Sequence, residues 1–349
     1  MSPKRARIKD IAELAGVSIG TVDRVLHDRG EVAEKTRENI LKIAKDLEYS
    51  PNVIARALKS KKRVRLVSLL PEPVEESAFW MKHPEGIQKA LKELDPFPVN
   101  LEQVTFDMLD ERDFQSKSEE LIRLNPDGVI LAPIFKNEAL TLCEKLTRSN
   151  IPFVFIDGFL EETSFLCYTG ENIYQSGRVA AQLVNMVTPP EKEILIINIA
   201  RNISNVHHLN VRTQGFISYF QEDRQNRLTS YAIYNPQTDF INRELKRILR
   251  QHKNTGSIFV TGSKSYKIAD YFESEGINSV NIIGYDLLEN NVKYLKTGKI
   301  RFLIGQRPEE QAYKGVRKLF DFISMNKTPE KMEYLPIDVV TSENVQFFL

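Results

Sequence analysis

The sequence predicts an α/β protein, with parallel β-sheets carrying helices on both faces, led by a small all-α helix-turn-helix head. Three observations carry this. Residues 1–47 hold three short helical patterns separated by turn signals. From Val64 onward, short apolar runs alternate with amphipathic stretches, the pattern of repeated parallel β/α units. The charge also divides. Residues 1–63 contain 15 Lys and Arg against 9 Asp and Glu, while the remainder carries 33 against 38. A basic head on an acidic body suits a polyanionic partner at one end only. The 349 residues exceed one ordinary core and suit a small module plus one or two larger ones.

In the head, Ile8, Ile11, Ala12 and Ala15 fall at helical spacing on one face. Gly16 ends that helix, because a tight turn calls for a residue tolerant of positive φ. Val17 plugs the angle between two helices, and Ser18 is a good N-cap for the second, which runs to about His27. There Val22, Val25 and Leu26 face inward, while Ile19, Gly20, Asp23 and Arg24 face outward. Two short helices joined by a Gly-containing turn form a helix-turn-helix unit. A third helix, from Thr36 to Leu47, completes a small core with Ile40, Ile43, Ala44 and Leu47. Only about eight residues separate Pro51 from the basic Lys61-Lys62-Arg63, too few for a stable lone helix in water.

In the body, strands are expected at 64–70, 99–106, 128–131, 153–156, 194–199, 258–260, 282–285 and 302–304. Helices at 85–94, 114–123, 138–149, 177–187, 242–252, 265–275 and 309–323 fall between them. Loops at the carboxyl ends of parallel strands face a common crevice, where ligands of open sheets bind. Asp157 and Asp286 each follow an apolar strand, VFIDG and IIGYD, and their carboxylates can accept paired sugar hydroxyls. Phe79 and Trp80, in the loop after the first strand, offer an aromatic face to a pyranose ring.

Other classes are disfavoured. Lys9, Asp10 and Glu13 interrupt any apolar secretory segment, and no run of about 18 apolar residues occurs, so a cytoplasmic protein without membrane contact is expected. Cys143 and Cys167 read as small core residues without bridge or metal spacing. His207-His208 has no further metal ligand at useful spacing. No Gly-rich phosphate loop, Gly-x-Ser-x-Gly elbow or His-Glu-x-x-His pair is present, so no enzyme and no cofactor are expected. Paired carboxylates in a cleft would suit a glycosidase, but that leaves the basic head unexplained.

GVSIGTVDRVL followed by EVAEKTRENILKIAKDLEYSPNVIARALKSKK closely resembles the head of the lactose-repressor (LacI/GalR) family of transcriptional regulators. The resemblance implies that the second helix lies in the major groove of operator DNA. By position, Ile19, Gly20 and Arg24 then read bases, while Ser18 and Thr21 face phosphates. Arg24 suits a bidentate guanine contact and Ile19 a thymine methyl. Gly20 makes readout leaner, Asp23 is unusual beside phosphates, and Ala33 departs from the usual capping Ser. The segment around 51–63 matches the family's hinge, which becomes helical on the operator. Leu58 matches its minor-groove wedge, with Ala57 beside it and Asn52 and Arg56 available for backbone or groove contacts.

NPDGVILAP, IPFVFIDG, VRTQGF and NIIGYDLLENNVKYLKTGKIRFLIGQRPEEQAYKGV resemble the type I periplasmic-binding-protein fold, which has two lobes joined by three crossing strands. The crossings are expected near 170–173, 305–308 and 335–338. One lobe then comprises about 64–171 plus 307–335, and the other about 172–306 plus 336–349. The division implied is a head at 1–50, a hinge at 51–63 and an effector-binding, dimerising body at 64–349. Arg212 matches the family's ligand-contacting Arg and Gln306 a cleft residue at a crossing, while Asn172 positions the crossover. Arg212 has an alternative, pairing with a carboxylate across the lobes. The whole implies a homodimer on a roughly palindromic operator, controlled by a sugar or related metabolite. Asn344-Val-Gln-Phe-Phe-Leu349 lacks tetramer-forming heptads. Alternatives are a purine, nucleoside, phosphosugar or protein coregulator as effector, or a solute-binding transport receptor.

Overall fold

The computed structural model describes residues 6–26, 30–47, 49, 63–200, 207–220 and 227–349. The chain divides into two compact units, Met1–Ser60 and Lys61–Leu349. Asn52, Arg56, Ala57 and Leu58 lie outside the described residues.

Among its described residues, the first unit has three helices, α1 (Ile8–Ala15), α2 (Ile19–Leu26) and α3 (Glu34–Asp46). Ile11, Ala12, Val22, Val25, Ile40 and Ala44 are buried together, with Ile8, Val17, Leu26, Ile43 and Leu47 packed around them. Gly16 closes α1 in the left-handed region at φ 66°. Ser18 caps α2, its Oγ accepting the Thr21 amide hydrogen bond at 3.1 Å. Ala33, at the head of α3, makes no side-chain cap.

The described residues of the second unit form two six-stranded sheets. Strands β1 (Val64–Pro71), β2 (Val99–Phe106), β3 (Gly128–Leu131), β4 (Phe153–Ile156), β5 (Cys167–Gly170) and β11 (Met332–Tyr334) form one sheet, ordered β11-β5-β4-β3-β1-β2. Strands β6 (Glu193–Ile199), β7 (Leu228–Ile233), β8 (Thr255–Val260), β9 (Asn281–Tyr285), β10 (Ile300–Gly305) and β12 (Asp338–Val340) form the other, ordered β12-β10-β9-β8-β6-β7. Every pairing is parallel except β12 against β10. Strands buried on both faces read as continuous apolar runs. EILIINI in β6 is such a run, sending Leu195, Ile197 and Ile199 into one core and Ile194 and Ile196 into the other.

The two orders are the same pattern, so β1 corresponds to β6, β4 to β9 and β5 to β10. The chain passes between sheets three times. It leaves β5 for α7 (Ile173–Val187), leaves β10 for α12 (Pro308–Met325), and runs from β11 to β12. Asn172 caps α7, its side-chain oxygen accepting the Gln175 amide hydrogen bond at 3.0 Å. Helix α7 packs against α8 (His207–Tyr219) almost backbone to backbone. A Cβ on Gly177 would lie 2.2 Å from the Arg212 carbonyl oxygen, and one on Gly215 would lie 2.0 Å from that of Tyr174. These paired glycines fix the height of α8, which carries Arg212, above the second sheet.

Phe79 and Trp80 sit in a 3₁₀ helix, Glu75–Lys82, and not in the irregular loop expected from the sequence. It leads directly into α4 (His83–Leu94). The Trp80 ring stacks on His83 with centroids 4.3 Å apart, and Phe79 meets both rings edge-on. This buried aromatic packing is what orders the segment. Burial pushes the His83 pKa down to about 3, so its ring is uncharged in this packing.

Candidate functional site

In doubly wound sheets the crevice opens where the strand order reverses, here between β1 and β3 and between β6 and β8. A cavity of about 300 Å³ lies at the carboxyl ends of both sheets. Phe79, Trp80, Asp157, Arg212, Asp286 and Gln306, singled out from the sequence, all line it. Met108–Arg112, Gly262–Lys264 and His208 complete much of the rim.

Asp157 follows β4 and Asp286 follows the corresponding β9. Both adopt left-handed backbone, at φ 64° and 70°. A non-glycine residue there costs about 1–3 kcal/mol, and such strain collects at functional sites. Polar partners hold both turns. Gln311 accepts the Asp157 amide hydrogen bond at 2.7 Å and donates to the Gln306 carbonyl at 2.7 Å. Asn291 donates to the carbonyls of Tyr285 and Asp286, each at 2.9 Å.

Arg212 projects from α8 into the centre and is 1% exposed. Its Nε donates to Glu171 Oε1 at 3.1 Å and its Nη1 to the Thr261 carbonyl at 3.0 Å. Its Nη2 donates to both Glu171 and Gln306. The guanidinium also lies over the Tyr285 ring, 3.8 Å from the centroid. Gln306 passes the network on, donating to Asp286 Oδ1 at 2.7 Å. The sequence offered two readings of Arg212, and the structure contains the carboxylate pair. The partner, Glu171, was not singled out from the sequence. Its signal was present, since Gly170-Glu171 ends β5 as Gly305-Gln306 ends β10.

Burial raises the pKa of Asp157 and of Asp286 to about 7, opposed by Arg212 and reinforced by the neighbouring carboxylates. A folded-state pKa above the unfolded value means the native chain holds more protons than the unfolded chain between about pH 3.8 and about pH 7. Stability from these groups is therefore full below the unfolded pKa and lost as pH climbs through the folded one. Relative to the Asp157→Asn, Asp286→Asn variant, the ligand-free protein should lose stability from about pH 4 to about pH 7 in denaturant titrations. A difference that is flat, or grows in its favour, would contradict this.

In the first unit, Ser18, Ile19, Gly20 and Arg24 are exposed along one side of α2 and Thr21 is half-buried. The Ser18 and Thr21 hydroxyls lie 2.9 Å apart, within hydrogen-bond distance. Such a helix, with a cation and a short apolar side chain free on its outer face, has the shape and chemistry of a major-groove reader. Among the described residues, no helix is long and apolar enough to cross a membrane.

A helix-turn-helix unit and a two-lobed receptor with a polar cleft define a ligand-responsive DNA-binding regulator. Comparison with known proteins agrees. The family model for bacterial regulatory proteins of the lacI family matches residues 7–52, and that for a periplasmic binding protein domain matches residues 67–327. The chain joins a helix-turn-helix domain of the lacI family to a body that belongs to the periplasmic-binding-protein domain family. It is 28% identical over 286 residues to the ribose operon repressor of Lactococcus lactis, covering 80% of each chain. It is 26% identical to the sucrose operon repressor of Streptococcus mutans, covering 97% of this chain and 99% of that one. A candidate LacI transcriptional regulator from Bacteroides fragilis has a similar structure, with TM-score 0.77 and 28% identity over 82% of this chain and 99% of that one. These relatives are named as regulators, not as enzymes.

Proposed function

We propose that the chain is a cytoplasmic, homodimeric repressor of a palindromic operator whose DNA affinity is set by a sugar bound in the cleft. The observation that carries this is the pairing of Asp157 and Asp286. They are equivalent carboxylates from opposite sheets, and they line one cavity with Arg212 and Gln306. Carboxylates accept from vicinal hydroxyls, guanidinium and amide donate to them, and Phe79 and Trp80, which line the cavity, offer apolar surface to a ring face. The cavity sits at the low end of the roughly 300–1,000 Å³ typical of small-molecule sites, which suits a monosaccharide. The relatives named as ribose and sucrose operon repressors favour the same class.

In this reading residues 1–50 read DNA through Ser18, Ile19, Gly20, Thr21 and Arg24, and residues 51–63 are the hinge, with Asn52, Arg56, Ala57 and Leu58 at the minor groove. Residues 64–349 bind effector and dimerise. A ligand touching both sheets stabilises a closed arrangement through contacts absent from the open one. Calorimetry of the full chain against pentoses, hexoses and sucrose is the direct test, and saturable binding of one uncharged sugar is expected. Binding only of purines or phosphorylated compounds would replace the sugar with the alternative effector classes.

Two substitutions test the DNA side. Leu58→Ala should weaken operator binding about tenfold or more while leaving effector affinity intact, because a lost wedge no longer offsets unstacking; equal operator affinity would remove the wedge. Arg24→Ala should relax preference at one base pair per half-site, at a cost of about 1–3 kcal/mol. A uniform loss across all sequences would make it a phosphate contact.

A further inference from the structure

The two crossover positions that follow β5 and β10 hold corresponding residues, Glu171 and Gln306. Both accept from the same nitrogen of Arg212. One is charged and the other neutral, and that difference decides how much positive charge Arg212 shows the cleft. We propose that Glu171 is a specificity-determining residue that makes this site select an uncharged effector over an anionic one. The proposal rests on the sugar-sensing reading above and adds the charge of the ligand.

Arg212 and Glu171 are each 1% exposed, so their attraction is little screened by water. Four hydrogen bonds from Nε, Nη1 and Nη2 leave the guanidinium one N–H, on Nη1, for any ligand. An arginine holds a carboxylate or phosphate most strongly through its two-toothed edge, and Glu171 already occupies that edge. The centre therefore holds one cation that Glu171 already neutralises, beside two buried carboxyl groups, Asp157 and Asp286, that carry part of a negative charge near neutral pH. The rim does not reverse this, because Arg112 and Lys264 are matched there by Asp110 and Glu111. A single remaining guanidinium donor beside two partly ionised carboxyl groups fits hydroxyl groups and disfavours anions. Glu171 does not line the cavity and acts through Arg212, so it is a positioning residue.

Calorimetry on the full chain would compare matched probes, D-glucose with D-glucuronate and D-glucose 6-phosphate, and D-ribose with D-ribose 5-phosphate. The natural protein should bind an uncharged member at least tenfold more tightly than its anionic counterpart. Glu171→Gln should narrow that ratio at least tenfold, and Glu171→Asp, which keeps the charge, should preserve it. Preference of the natural protein for an anionic member, or an unchanged ratio in Glu171→Gln, would overturn the proposal. Should no sugar bind at all, the sugar-sensing reading fails, and the pairing is read separately in Glu171→Ala. Acetate, standing in for the lost carboxylate, should raise the melting temperature of that variant more than that of the natural protein. Equal shifts would overturn the proposal on that arm.

Discussion

Replacing Arg212 by alanine is expected to abolish the effector response and to lower stability by about 3–5 kcal/mol, the usual cost of removing one partner of a buried ion pair. The loss has two sources. Glu171 would remain buried with its charge uncompensated, and its Oε2 already lacks a hydrogen-bond partner. Gln306 and the Thr261 carbonyl would lose their donor as well. Because Gln306 also donates to Asp286, this cleft carboxyl group would lose the chain of contacts that orients it. Arg212→Lys should recover only part of this, since an ammonium keeps the charge but not the fork that serves Glu171 and Gln306 together. Denaturant titration checks the stability and calorimetry checks effector binding. A change below about 1 kcal/mol, the level of exposed ion pairs, would show that the buried network is not what holds this centre.

Gly215→Ala is the second large effect expected, through packing and not through charge. The new methyl would meet the Tyr174 carbonyl oxygen at 2.0 Å, and that oxygen belongs to the backbone of α7, which has no side-chain freedom with which to yield. The helices must separate, and overpacking of this kind costs about 1–3 kcal/mol. Arg212 lies on α8 close to one turn before Gly215, so a displaced α8 also moves the guanidinium away from Glu171 and Gln306. Stability and effector affinity should therefore fall together, although residue 215 touches no ligand in this account. A variant with an unchanged unfolding midpoint and unchanged effector affinity would contradict the close-packed contact.

The sequence made the head legible because its apolar residues repeat at helical spacing and Gly16 and Ser18 mark the turn between helices. The interior strands were legible as continuous apolar runs. Four strands were missed. The edge strand β7, LTSYAI, is mostly half-buried and polar, so it lacks the apolar run that marks β6 or β8. Strands β5, β11 and β12 have three or four residues and take their identity from the sheets they bridge. Helix α8 was read only as the short motif VRTQGF, because its weak amphipathicity hides a helix packed through glycine against another helix.

The candidate site shows the same limit. Asp157, Asp286, Arg212, Gln306, Phe79 and Trp80 were visible because each follows a strand end or sits in a recognisable motif. Their connections were not visible. Glu171 lies 41 residues from Arg212, and Gln311 lies 154 from Asp157, so no local pattern joins them. The correspondence of β5 with β10, by contrast, could have drawn attention to Glu171 once Gln306 had been chosen.

Occupation of the cleft should change how the head holds DNA. Fluorescence anisotropy on an operator selected from a random pool, with and without the sugar identified by calorimetry, tests it most directly. Operator affinity should change by about 5–150-fold, and the operator should change sugar affinity by the same factor, because such coupling is reciprocal. Identical operator affinity at zero and saturating sugar, or no preference for any DNA, would contradict it.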